Sequence, residues 1–108
     1  MDDKTTVKDL KEKVGKFCDD RDWDRYHNAK DLAIGVITEA SELLEQFRFK
    51  SEIEVEKMFA NPEKRERICE ELVDVFHTVL RFSQKYGVDL TSELHKKMKK
   101  NEKKYPLK

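Results

Sequence analysis

Two pairs of acidic side chains have the type and spacing to do chemistry: Glu39 with Glu42, and Glu71 with Asp74. On a helix, residues three apart share a face, with Cβ atoms about 5–6 Å apart. Two such pairs on neighbouring helices would bring four carboxylates to one point. Carboxylates that close cannot all stay ionised without a cation. A hard divalent ion with oxygen ligands resolves the conflict, and Mg²⁺ is the usual choice where phosphates are also bound. Spacing alone does not decide this, because acids fill 23 of the 108 positions and such pairs arise by chance. Placement says more. At about 100° per residue, Glu39 falls on the flank of an apolar stripe, beside Val36 and Leu43, and Glu42 lies further round. Glu71 sits likewise between Ile68 and Val75, with Asp74 further round. A half-buried carboxylate is costly unless it is paired or bound to metal. Both solutions, metal binding and pairing with lysine or arginine, remain open on these residues alone.

Helices must position these acids. Only three glycines and two prolines punctuate the chain, and apolar residues recur at three and four rather than two. The expectation is an all-α, four-helix-type bundle forming one domain over residues 1–108. A first helix is predicted over about 6–20, with Val7, Leu10, Val14 and Phe17 as its stripe. A polar segment holding Trp23, Tyr26 and His27 follows. Asn28 is a good N-cap for a second helix, which carries Leu32, Ala33, Val36, Ile37, Ala40, Leu43, Leu44 and Phe47. Residues 50–60 read as a charged connection with at most one helical turn. Asn61-Pro62 starts the next helix, with Ile68, Leu72, Val75, Phe76, Val79 and Leu80 inward, and Gly87 caps its end. Asp89 or Thr91 opens the last helix, which ends near Tyr105-Pro106.

Composition narrows the classes of function. The charged fraction is 43%, against about 25% in an ordinary domain, which suits helices with long solvated faces. Basic and acidic residues balance at 23 each, so no overall field favours nucleic acid or anionic lipid. The six lysines between Lys96 and Lys104 read as a solvated face, of which one or two could meet phosphate. No apolar run approaches a membrane span and no signal peptide opens the chain, so the expected location is cytoplasmic. Cys18 and Cys69, outside any CxxC pair, read as reduced thiols.

The ordered set Arg21-Asp22-Trp23, Tyr26-His27, Leu32-Ala33, Glu39-Ala40-Ser41-Glu42-Leu43-Leu44-Glu45, Phe47-Arg48-Phe49-Lys50, Glu70-Glu71-Leu72-Val73-Asp74, Lys97-Met98, Asn101 and Tyr105-Pro106 resembles the all-α nucleotide pyrophosphohydrolases of the MazG-like superfamily, nearest the dCTP pyrophosphatase branch. The resemblance covers about residues 21–107. It implies an Mg²⁺ site, which Mn²⁺ could also fill, made by ExxE on one helix and ExxD on the next: Glu39, Glu42, Glu71 and Asp74. It implies a homo-dimer or a dimer of dimers with active sites near the subunit interface. It places Trp23, His27 and Phe49 by the base, and Lys97, Asn101 and Tyr105 near the phosphates and sugar. Phe49 stands where the branch usually has tryptophan, Thr78 where it often has tyrosine, and Thr38 where many relatives have glutamate. These departures bear on cytosine preference and on an outer-shell acid.

The implied reaction is attack of water on a nucleoside triphosphate with pyrophosphate leaving. The metal would neutralise charge on the leaving group, Lys97 would act as a point charge, and Lys30 is a weaker candidate for that task. Two other readings compete. Asp74 and His77 have the spacing of half a di-iron site, but that motif is needed twice, and helical geometry turns His77 about 60° from Asp74, toward solvent. The other is a non-enzymatic helical interaction module whose acids only form salt bridges.

Overall fold

A computed structural model describes residues 1–107. Five α-helices follow one another: α1 (Val7–Asp20), α2 (Ala29–Glu45), α3 (Glu52–Ala60), α4 (Pro62–Lys85) and α5 (Leu90–Lys104), with a 3₁₀ turn at Asp24–Tyr26 between α1 and α2. The all-α expectation holds, with five α-helices among the described residues.

Local chemistry sets most of the boundaries. Thr6 caps α1 through a capping box with Asp9, Asn28 caps α2 by accepting from the Asp31 N–H, and Asn61 caps α4 ahead of Pro62. Asp89 caps α5. At the end of α4, Gly87 takes φ +62°, and the Val88 N–H donates to the Ser83 carbonyl, closing a Schellman-type turn. The segment read as a charged connection is instead the nine-residue α3. Its signal was Ser51-x-x-Glu54, a capping box in which each residue's side chain accepts from the other's backbone N–H.

Helix α4 is the axis of the fold, packing against α2, α1 and α3. The core is small. Cys18, Val14 and Leu80 form its centre, with Val7, Leu10 and Leu90 packed around them. Leu32, Met58 and Ile68 are buried elsewhere along the helix seams. Glycine at position 15 lets α1 approach α4: a Cβ there would lie 2.8 Å from the Gln84 side-chain amide.

Several positions expected inside are not. Leu72 and Phe76 on α4, and Ile37 and Leu44 on α2, are exposed, as is Phe17 to a lesser degree. The stripe on each helix is wider than one chain's neighbours can cover. The last helix has no buried residue at all, and its Leu94 and Met98 face outward. Both cysteines are free, Cys18 buried and Cys69 exposed. No helix among the described residues is long and apolar enough to cross a membrane.

Leu80 joins α4 to the α1 side of the core. Leu80→Ala should lower the unfolding free energy by about 3 kcal/mol through lost transfer energy and a residual cavity. Urea denaturation followed by circular dichroism would measure this, with helical content of the folded state unchanged.

Candidate active site

Helices α2 and α4 make the most extensive packing in the molecule, and the two acidic pairs lie on this seam. One carboxylate oxygen each from Glu39, Glu42, Glu71 and Asp74 falls within 4.8 Å of the others. Glu39 and Glu71 are half-buried while Glu42 and Asp74 are exposed, as their places on the stripe's flank and beyond it required. Glu39 Oε2 and Glu71 Oε2 are buried and find no hydrogen-bond partner among the described residues. Lysine and arginine do not neutralise the cluster: every ion pair among the described residues lies elsewhere.

The electrostatics follow from that packing. Burial, then the neighbouring Glu42 carboxylate, pushes the Glu39 carboxyl above the usual carboxylate range. Burial, then Glu42 and Asp74, does the same to Glu71, with Arg67 opposing weakly. Four hard oxygen donors, two of them buried and orphaned, match the coordination demands of a small divalent cation. The donor set contains no sulfur or imidazole that would favour a softer metal.

A cavity of about 280 Å³ adjoins this cluster through Glu39. Trp23, His27, Asp31, Leu32, Gly35, His77, Thr78 and Arg81 complete its lining. Trp23 meets His27 edge-on with ring centroids 6.3 Å apart, and Phe17 edge-on at 5.5 Å. His77 therefore departs from the expectation that it faces solvent. It is half-buried, in the cavity wall, with Phe17 edge-on at 5.9 Å. The reason is that the polar segment between α1 and α2 folds over that flank of α4. Thr78 lines the same wall and donates its hydroxyl to the Asp74 carbonyl.

Arg81 was not foreseen. It is 2% exposed, with side-chain bonds to His27, Gln84 and Asp24. Its signal lay in the sequence: His77, Arg81, Gln84 and Lys85 recur at helical spacing and form a polar stripe between the apolar ones.

The remaining predicted residues lie apart from the cavity. Phe49 follows α2 at φ +64°, 93% exposed, with the Arg48 guanidinium over its ring. Lys97 and Tyr105 are exposed and Asn101 half-buried, all on or just after α5. Lys30 is exposed in the first turn of α2. Thr38 donates to the Ile34 carbonyl and brings no charge to the cluster.

The MazG-like family model matches residues 34–108. The chain belongs to the MazG-like family. It is also similar to dCTP pyrophosphatase 1 of Rattus norvegicus, 30% identical over 102 residues that make up 94% of this chain and 60% of that protein. The human protein of that name is 30% identical over 101 residues, 94% of this chain and 59% of its own length. The chain thus spans about three fifths of the length of these relatives. A solved structure of a pyrophosphatase from Archaeoglobus fulgidus superposes with a TM-score of 0.84 at 31% identity, covering 93% of this chain and 92% of the other. All four clustered acids fall within the matched residues.

In metal-free protein, Glu39 and Glu71 hold their protons at pH values where the unfolded chain has lost them. Their contribution to stability is therefore fullest in acid and declines as pH rises through and above the carboxylate range. Glu39→Gln should melt above wild type in chelator at neutral pH, with the gap closing toward acid. Millimolar Mg²⁺ should raise the wild-type melting temperature and leave the variant nearly unmoved. Thermal scans across pH, with and without the ion, measure both effects.

Proposed function

We propose that this chain is an Mg²⁺-dependent nucleoside triphosphate pyrophosphohydrolase, converting a triphosphate and water to the monophosphate and pyrophosphate. The observation that carries this reading is the convergence of Glu39, Glu42, Glu71 and Asp74 within 4.8 Å beside an aromatic-walled cavity. The family and the names of the relatives support it.

The four carboxylates would hold Mg²⁺, for which Mn²⁺ could substitute. When bound, the ion neutralises charge on phosphate oxygens and on the departing pyrophosphate. The chain's own part is positioning and charge placement, which supply most of the catalysis in such transfers. Glu42, exposed at the edge of the cluster, is the carboxylate placed to orient the attacking water and draw its proton as the new phosphorus–oxygen bond forms. The bond to pyrophosphate breaks on the opposite side. Trp23 offers a ring to a base, and His27 a hydrogen bond. The cavity, lined by only one large aromatic side chain, suits a single small base such as a cytosine or a modified cytosine. Phe49 and Thr78 distinguish this chain within that branch. The corresponding role is clearance or control of a nucleotide pool in the cytosol, where both thiols stay reduced.

A second copy completes this reading. Ile37 and Leu44 on α2, Leu72 and Phe76 on α4, and Leu94 and Met98 on α5 are exposed apolar residues in numbers a soluble monomer rarely carries. A homo-dimer, or a dimer of dimers, would cover them. It would also bring Phe49, Lys97, Asn101 and Tyr105 of one chain toward the cavity of the other, the positions that lie outside the cavity within a single chain. Light scattering on the eluting protein should give twice or four times the mass of one chain, and a monomer at micromolar concentration would refute the assembly.

A panel of canonical and modified triphosphates with Mg²⁺ tests the reaction, read by monophosphate and pyrophosphate release. Orthophosphate as the product would overturn the bond assignment. Absence of any turnover, together with no thermal shift by Mg²⁺, would leave an interaction module. Glu71→Gln should lower turnover by at least about 100-fold with helical content intact, more than the roughly 10–100-fold typical when only an outer-shell partner of a metal ligand is lost.

A further inference from the structure

We propose that Arg81 is a positioning residue that fixes His27 as a hydrogen-bond donor to the bound nucleotide, by occupying the imidazole Nδ1 lone pair from behind. The inference rests on the cavity being the nucleotide pocket, and concerns what its polar wall can recognise.

The geometry is specific. Arg81 Nε donates to His27 Nδ1 at 2.9 Å. One terminal nitrogen donates to Asp24 Oδ1 at 2.8 Å and the other to Gln84 Oε1. Arginine has donors only and keeps its charge under all ordinary conditions. An N–H of Arg81 directed at Nδ1 therefore requires a bare lone pair there, so the ring's proton sits on Nε2. With Nδ1 engaged, His27 can offer Nε2–H to a ligand but cannot take a second proton without breaking its bond to Arg81. It recognises an acceptor, such as a base carbonyl, a ring nitrogen or a phosphate oxygen, and is excluded as a general base.

The surroundings hold this state. Groups facing His27 are Arg81, Lys85 and His77 on α4, Asp24 on the 3₁₀ turn, and Asp31 and Glu39 across the cavity on α2. Burial, followed by Arg81 and Lys85, disfavours the imidazolium, and Asp24 opposes them. Asp24 is itself engaged by Lys85 and Arg81, which hold its carboxyl below the usual range. Lys85 Nζ also donates to the carbonyls of Asp24 and His27, so the backbone carrying the histidine is tied to α4 as well. Behind Arg81, the Gln84 amide packs onto Gly15, 2.8 Å from where a Cβ would stand. The network thus runs unbroken from the α1–α4 contact to the cavity wall.

Nitrogen-15 NMR of the imidazoles, with His27 assigned by the His27→Gln variant, tests this in the wild-type protein without any substrate. The expected result at about pH 6, near the ordinary histidine range, is a neutral ring with the proton on Nε2 and Nδ1 as an acceptor. A proton on Nδ1, or an imidazolium at that pH, would overturn the proposal. In Arg81→Met the ring should become a mixture of tautomers that protonates in the ordinary range. For the triphosphate turned over, KM should rise about tenfold with kcat within about threefold. His27→Gln should raise KM similarly, and the double variant no further, because both changes remove one interaction. Additive losses in KM, or an unchanged His27 spectrum in folded Arg81→Met, would overturn the proposal. If the wild type turns over no triphosphate, the assigned reaction fails while the imidazole spectrum still decides the role of Arg81.

Discussion

The mutual repulsion of four carboxylates at the α2–α4 seam is the constraint around which this molecule is organised. Bringing Glu39, Glu42, Glu71 and Asp74 within 4.8 Å of one another, with two oxygens buried and orphaned, works against folding in the absence of a cation. The packing of α2 on α4 holds them there nonetheless. Such an arrangement is the mark of a site whose stability is conditional on what it binds. The cluster is half-buried rather than deep, so burial raises the energy of the charged state while Glu42 and Asp74 stay open to an incoming ligand.

The wall beside the cluster is built on the opposite electrostatic principle. There a buried cation, Arg81, is fully supplied with acceptors: an imidazole nitrogen, an amide oxygen and a carboxylate. Its desolvation is offset by three hydrogen bonds, and its rigidity passes to the segment carrying Trp23 and His27. Glu39 of the acidic cluster and Arg81 of the hydrogen-bonded wall therefore line the same cavity of about 280 Å³. The long α4 contributes to both cluster and wall, Glu71 and Asp74 in its middle and His77, Thr78 and Arg81 one to two turns on.

Legibility of the fold varied with how local its causes are. Asn28, Asn61-Pro62, Gly87 and Asp89 act on the backbone within a few residues, so the bounds of α2, α4 and α5 could be read directly. The α3 helix was equally local, announced by Ser51-x-x-Glu54, but its dense charge masked a weak apolar pattern. Burial was less legible. Leu72 and Phe76 satisfy the inward periodicity of α4, yet which apolar flank is covered depends on where the other helices dock. His77 shows the converse: helical phase turned it outward, and a segment some fifty residues earlier folded over it.

By itself the sequence determined the helices, the pairing of acids three apart on each of two of them, and the flank of the stripe on which each acid sits. These are consequences of a 3.6-residue turn and of caps that act within a few residues. Only the tertiary structure decided that the two pairs share one point and that no lysine or arginine among the described residues forms an ion pair with them. It alone joined the cavity to Glu39, and it alone aimed Arg81 at Nδ1 of a histidine 54 residues away. Those outcomes depend on how helices dock and which side chains lose their water together, and helical periodicity carries no information about partners so distant along the chain.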